Sequence, residues 1–191
     1  MMKPMVNVPV IENYQVRLRP ITAQDLELLR QWRNSDFVRE KMLSTALISE
    51  EQQQAWFKKM VTDTSQMHWL IEYRDTPIGA VNVKVTRRCD TVVTAQTLEP
   101  GLYIGEPNYQ GNIVAFAPSL ALYDYCFFVL GTKTLHAAVK RDNQAALKYN
   151  QQLGYEIDSR GEFITLRLQK ASYERQTVTL KSLLSRTGKA K

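Results

Sequence analysis

A strand that ends on glycine, a short polar loop and then a long apolar helix constrain this chain more than any other feature. The strand is Glu99-Pro100-Gly101-Leu102-Tyr103-Ile104-Gly105, the loop runs from Glu106 to Gln110, and the helix opens near Gly111. A helix start leaves backbone N–H groups without intrahelical partners, and its dipole favours negative charge. Such a junction aims donors at an anion, and phosphate is the natural guest. Farther on, a short strand signal ends at Val139, and Asn143 opens a helix that closes at Leu153-Gly154-Tyr155.

The rest of the chain supplies strands and helices in mixed order. Tyr14 to Pro20 alternates as a strand, and Thr22 caps a helix from Ala23 to about Asn34. Ser35 or Asp36 restarts a second short helix, and Ser49 with Gln52 forms a capping box for a helix reaching about Val61. His68 to Tyr73 and Pro77 to Thr86 read as strands joined by an Asp75-Thr76-Pro77 turn, and Thr91 to Gly105 as a third strand broken near Pro100. Pro118 sits inside the apolar helix pattern and predicts a kink or a late helix start. Thr134 to Lys140 is a strand, Asn143 to Leu153 a helix, and Tyr155 to Ser159 with Phe163 to Gln169 a hairpin around Arg160-Gly161. The fold class is therefore α/β.

At 191 residues and 44% hydrophobic, the chain has material for one domain with a substantial core, expected over residues 1–170. The net charge of +6 invites a nucleic-acid reading, but residues 171–191 carry five basic residues against Glu174 alone, so +4 of it lies there. That segment is expected to be a basic tail, with a short helix over Tyr173 to Leu184, and no nucleic acid is expected as a partner. Cys89, Cys126, His68 and His136 stand in no metal-ligand spacing. The apolar run Ile113 to Leu130 has the length of a membrane span, yet Pro118, Ser119 and Asp124 in its interior favour a buried helix. The first residues are too short an apolar run for a signal peptide, so the expected location is the cytoplasm.

Several of these segments together resemble the GNAT superfamily of acetyl-CoA-dependent N-acetyltransferases. Glu99-x-Gly101-x-Tyr103-Ile104-Gly105 resembles its catalytic strand, and Gln110-Gly111-Asn112-Ile113-Val114-Ala115 its pyrophosphate loop. Asn143-x-x-Ala146 with Leu153-Gly154-Tyr155 resembles the helix beside the cofactor's thiol end, and Trp32-Arg33-Asn34 the substrate side of the nucleotide-sugar aminoacetyltransferases of the pseudaminic acid pathway type. The resemblance implies a central mixed, mostly antiparallel sheet of about seven strands flanked by helices. It also implies acetyl-CoA as acetyl donor, with Leu102, Tyr103 and Ile104 on its pantetheine arm, Gln110 to Ala115 on its pyrophosphate, and Asn143 beside the arm. Glu99 is then the base that takes a proton from the acceptor amine, and Trp32, Arg33 and Asn34 meet the acceptor.

Two residues depart from the family pattern. Ile113 stands where the phosphate loop normally carries a glycine, so a side chain is expected to crowd the phosphate. Asn150 stands where many members carry a tyrosine acid. An amide does not protonate a leaving thiolate, but a thiol of pKa about 8.5 leaves near pH 7 without an acid, and Asn150 is expected to donate a hydrogen bond to the sulfur. Tyr149 is expected to point elsewhere, since one helical step rotates a side chain by about 100°. By spacing alone Trp32 is a core residue, at i+3 from Leu29 and i+4 from Leu28, and Glu99 alone reads as a surface glutamate in a strand bend. The expected reaction is direct transfer to a primary amine on an amino-sugar nucleotide. The alternatives are a protein N-terminus, as in ribosomal-protein acetyltransferases, or a non-catalytic acyl-CoA-binding or protein-interaction module. No membrane partner is expected, and the sequence leaves a homodimer open.

Overall fold

The computed structural model of the protein describes residues 6–186. Eight strands form one sheet: β1 (Ile11–Asn13), β2 (Val16–Pro20), β3 (Gln66–Tyr73), β4 (Thr76–Val85), β5 (Thr97–Ile104), β6 (Thr134–Lys140), β7 (Glu156–Arg160) and β8 (Phe163–Gln169). Their order is β1-β2-β3-β4-β5-β6-β8-β7. Every pairing is antiparallel except β5 with β6. The helices are α1 (Leu26–Asn34), α2 (Asp36–Arg39), α3 (Glu50–Met60), α4 (Ala117–Asp124), α5 (Gln144–Gln152) and α6 (Lys170–Leu184).

Strand alternation divides the core between the two faces of the sheet. Trp69 and Ile71 of β3, Val81 and Val83 of β4 and Leu98 of β5 belong with α4 to the larger cluster. On the opposite face Leu70 and Ala80 pack with Leu29 and Trp32 of α1 and Met60 of α3. This second face carries His68, Asn82 and the odd-numbered residues of β5. The register of β4 on β5 is unbroken from Gly79↔Ile104 to Val85↔Leu98. Glu99, Gly101 and Tyr103 therefore share one face, as the period of two predicts, without a bulge at Pro100-Gly101.

Strand bounds differ from the sequence reading in three places. The sheet has eight strands because β1 forms a hairpin with β2 across Tyr14 and Gln15, whose φ values of 52° and 66° are left-handed. Neither residue type signals such a turn, and Tyr14 is held there by a hydrogen bond from its hydroxyl to Asp124 Oδ2 at 2.5 Å. The β3–β4 turn lies at Arg74-Asp75, one residue early, with Thr76 and Pro77 already paired to β3. β5 begins only at Thr97, because Thr91 to Ala95 closes a turn in which the Ala95 amide donates to Thr91 O at 2.9 Å. After residue 170 the helix expected over Tyr173 to Leu184 is present as α6, which starts at Lys170 and buries Tyr173, Thr177 and Leu184. Lys189 and Lys191 lie outside the described residues.

Pro118 marks a late helix start. A 3₁₀ turn over Ile113–Phe116 precedes α4, and Pro118 falls in the first turn of α4, where its missing N–H leaves no bond unmade. The helix then runs into a π-turn at Tyr125–Val129. Among the described residues no helix is long and apolar enough to cross a membrane. Ser49 and Gln52 make the expected capping box on α3, and Asn143 caps α5 by accepting from the Ala146 amide at 3.0 Å. Gly154 ends α5 at φ 99°, where a Cβ would come within 2.8 Å of Ser172 O, so only glycine fits.

Candidate active site

β5 and β6 pair only at Thr97↔Thr134 and Leu98↔Leu135 and separate beyond. The Gly105 amide donates to Ile78 O at 2.8 Å, which fixes the antiparallel alternation on β4. The backbone groups of Glu99, Gly101 and Tyr103 face β4, and those of Pro100, Leu102 and Ile104 face the gap. Pro100 has no N–H to leave unpaired there. Gln110 Nε2 donates to Ile104 O at 2.9 Å, so the polar loop folds over the mouth of the gap.

A cavity of about 1010 Å³ runs through this gap. Ala115, Ser119 and Tyr123 line it on the α4 side, and Leu29, Trp56 and His68 on the α1–α3 side. Of the residues singled out in the sequence, Glu99, Leu102, Tyr103, Ile104, Gln110, Gly111, Ala115, Asn143, Asn150 and Arg33 all reach it. Asn112, Ile113 and Val114 do not line it. The 3₁₀ turn directs the Ile113 side chain outward, leaving it 42% exposed, so it does not crowd the cavity as expected. The Val114 amide is taken by Asn112 Oδ1 at 3.1 Å and the Ala115 amide by Asn112 O at 3.0 Å. Free donors at this helix start are thus confined to the residues just before, beside Gly111, whose φ of 68° and open surroundings suit close approach.

Trp32 and Asn34 also lie outside the cavity lining, and their surroundings explain why. Trp32 is buried, with its Nε1 donating to Glu106 Oε1 at 3.0 Å. Its indole occupies the space beside Gly105, where a Cβ would meet Trp32 Cδ2 at 2.1 Å. Asn34 clasps the loop after α2: its Nδ2 donates to Ile48 O and its Oδ1 accepts from the Ile48 amide, at 2.9 and 2.8 Å. Arg33 alone of the three faces the cavity. Its guanidinium carbon lies 5.9 Å from the Tyr103 ring centroid, and its Nη1 is buried with no hydrogen-bond partner among the described residues. Burial pushes the Tyr103 phenol above its ordinary range, with the Arg33 charge acting weakly in the other direction.

The cavity floor is polar where β4 meets β5. Lys84 Nζ lies 3.0 Å from Glu99 Oε1. Glu99 is the single carboxylate among the lining residues, against Arg33, Lys41, Lys84 and Lys140. Lys41 Nζ donates to Gln110 Oε1 at 3.3 Å and Lys140 Nζ to Glu40 O at 3.2 Å, so two cations stand at the loop mouth. Sequence reasoning missed all three lysines, because Lys84 and Lys140 are brought there by the sheet and Lys41 by the turn after α2, contacts far apart in the chain.

Asn150 and Tyr149 both line the cavity. Asn150 Nδ2 donates to Ala146 O at 2.9 Å, back onto its own helix, which uses one of its two amide hydrogens. Tyr149 lines the cavity as a partly buried side chain, stacked on Phe116 at 4.5 Å and 12°. Its hydroxyl donates to Ala115 O at 2.9 Å and lies 2.8 Å from Ser119 Oγ. Burial pushes its phenol well above the ordinary range. It therefore ties α5 to the 3₁₀ turn and to α4.

The domain family described as Acetyltransferase (GNAT) domain matches residues 15–156. The acetyltransferase PseH of Campylobacter jejuni (strain 81-176) is 30% identical over 137 residues, 72% of this chain and 80% of that protein. The spermidine N(1)-acetyltransferase of Escherichia coli K12 is 24% identical over 149 residues, 76% of this chain and 75% of that protein. Among solved structures, a protein from Bacillus halodurans superposes with a TM-score of 0.78 at 15% identity, covering 92% of this chain and 96% of that one. The Campylobacter jejuni PseH structure in complex with acetyl coenzyme A gives a TM-score of 0.61 at 24% identity, covering 81% and 99%. The match spans the parted strands, the anion loop and the capped helix beside them, and the chain belongs to the GNAT acetyltransferase family.

Proposed function

We propose that this acetyltransferase transfers the acetyl group of acetyl-CoA directly to the primary amine of an anionic small molecule, an amino-sugar nucleotide. The observation that carries the acceptor class is Arg33, a guanidinium on a cavity-lining residue with a buried nitrogen that no group of the described residues satisfies. A buried donor without a partner is costly, and a planar fork of donors suits a pyrophosphate. The cation excess of the lining points the same way. A polyamine acceptor would need several carboxylates, whereas the lining offers Glu99 alone, already paired with Lys84.

The cavity fits acetyl-CoA as donor. The gap-facing backbone of Leu102 and the amide of Ile104, whose carbonyl is taken by Gln110, would meet the pantetheine amides, Gly111 with Lys41 and Lys140 the phosphates, and Asn143 the arm's flank. Acetyl-CoA supplies an activated acyl carbonyl. Glu99 accepts the proton from the acceptor ammonium, directly or through water, which frees the nitrogen lone pair to attack that carbonyl. A gap-facing amide of β5 then holds the oxygen's growing charge. As the C–S bond breaks, the second proton of the amine passes to water in the cavity and the CoA thiolate would leave unprotonated, since an amide such as Asn150 is no acid.

The test is release of CoA thiol with UDP-glucosamine, spermidine and a ribosomal-protein N-terminal peptide as acceptors, for the parent and for Arg33→Met. The parent is expected to favour UDP-glucosamine, and Arg33→Met to lose about 10–100-fold of kcat/KM on it, the worth of a charge-assisted bond in a closed site. Preference for spermidine or the peptide, or an unaffected Arg33→Met, would overturn the acceptor assignment.

A further inference from the structure

The cavity floor has a middle row that the catalytic reading leaves unused. Register places His68 of β3 opposite Asn82 of β4, and Asn82 opposite Gly101 of β5. Strands about 4.8 Å apart make this a polar stripe roughly 10 Å long, leading from the gap toward Trp56. It lies between the Lys84–Glu99 pair and the apolar row of Leu70, Ala80 and Tyr103. All three of His68, Asn82 and Gly101 line the cavity.

Hydrogen bonding fixes what His68 shows to the cavity. Asp63 Oδ2 accepts from Gln66 Nε2 at 2.6 Å, so it is the carbonyl oxygen of Gln66 that faces His68 Nε2, at 2.8 Å. That oxygen only accepts, hence Nε2 carries the ring proton and Nδ1 is a bare lone pair. Nδ1 has no partner among the described residues and is not one of the buried unsatisfied atoms, so it is within reach of solvent, on a residue that lines the cavity. The ring is held edge-on to Trp56 at 5.2 Å and 87°. Burial lowers the imidazole pKa from 6.5 to about 4 against the nearby Asp63 charge, which keeps the lone pair free at neutral pH.

Asn82 is the second member. Its side chain makes no hydrogen bond to a described residue, and its Oδ1 occupies the room that Gly101 leaves, where a Cβ would stand 2.4 Å away. Gly101 is thus matched to Asn82 and to the thin floor beside Glu99.

We propose that Asn82 and His68 form an uncharged hydrogen-bonding subsite for the acceptor, taking hydroxyl or amide groups of the sugar ring beside the reacting amine. His68 Nδ1 accepts one ring donor, and the Asn82 amide, nearer the gap, accepts or donates to the next group. The subsite rests on the acetyl-transfer reading and adds to it the selection of a polyhydroxylated acceptor over an aliphatic amine.

Nitrogen-15 NMR of histidine-labelled protein tests this directly, because His68 and His136 are the two histidines and His136 does not line the cavity. His68→Phe assigns the signals and retains an aromatic ring against Trp56. The expected spectrum shows His68 as the neutral Nε2–H tautomer, with an Nδ1 signal that moves when UDP-glucosamine is added to protein saturated with desulfo-CoA, while His136 stays fixed. In kinetics, His68→Phe and Asn82→Ala each raise the KM for UDP-glucosamine by about 3–10-fold and leave the KM for acetyl-CoA unchanged. Gly101→Ala matches Asn82→Ala, and the double variant is no worse than either, since both remove the same contact. A protonated Nδ1, an Nδ1 signal unmoved by UDP-glucosamine, or additive Gly101 and Asn82 effects would overturn the subsite. Thermal stabilisation by acetyl-CoA is read on the same samples: its absence would refute the transfer reading, and its presence with an unmoved Nδ1 refutes the subsite alone.

Discussion

Tyr149→Phe removes one oxygen from the most tightly tied point of the cofactor side and leaves the ring in place. Phe116 still stacks on it, so packing is retained and two hydrogen bonds are lost. Ser119 keeps a second phenol neighbour, Tyr123, and turns its hydroxyl there, whereas Ala115 O is left without its donor. A neutral bond lost at a buried carbonyl costs about 1–2 kcal/mol, which for a domain of this size lowers Tm by about 2–8 °C. The lost bond anchors the turn that follows the phosphate loop. If acetyl-CoA requires that turn ordered, the same free energy appears as a loss of affinity of about 5–30-fold. Differential scanning calorimetry gives the first quantity, and titration calorimetry with acetyl-CoA and with UDP-glucosamine separates donor from acceptor. A Tm within 1 °C of the parent, with acetyl-CoA affinity unchanged, would refute the view that this hydroxyl holds the loop.

Three further outcomes follow from the same geometry. Gly105→Ala places a methyl 2.1 Å from a Trp32 ring carbon that the Glu106 bond holds in place, so overpacking of about 2–3 kcal/mol is expected, read as a Tm fall of about 4–12 °C. The parent should lose stability as pH falls from about 6.5 toward about 4, because the unfolded chain protonates His68 there and the folded one does not; denaturant titrations of His68→Phe should show a weaker dependence across that window. Asp25 behaves in the same direction at lower pH. Burial acts against its charge, but bonds from Arg19 and Thr22 hold its pKa below the ordinary value. Its contribution is complete above the unfolded pKa and is lost as pH falls through the folded one, so Arg19→Met should unfold at a higher pH in acid titrations.

What the sequence disclosed and what it hid divide along a physical line. Local signals held: Ser49 with Gln52, Asn143, Gly154 and the alternation of Glu99, Gly101 and Tyr103 each depend on neighbours within a few residues. The β1–β2 turn failed because its left-handed residues are Tyr14 and Gln15, stabilised by a contact to Asp124 far along the chain. The cavity residues Lys84, Asn82 and His68 were hidden because their convergence follows from β3–β4–β5 register. Their one legible sign was a polar residue between apolar neighbours in each strand. Trp32-Arg33-Asn34 separated into a core residue, a cavity residue and a loop clasp, a division that helical spacing anticipated only for Trp32.

The assignment of Glu99 as the proton acceptor is tested most directly by comparing acetyl-CoA binding with turnover in Glu99→Gln. Its pairing with Lys84 is partly exposed, so the substitution should change stability little. The account predicts acetyl-CoA affinity equal to the parent's and a kcat on UDP-glucosamine lower by about 10²–10⁴-fold. Turnover at the parental rate would remove Glu99 from the chemistry and contradict the mechanism.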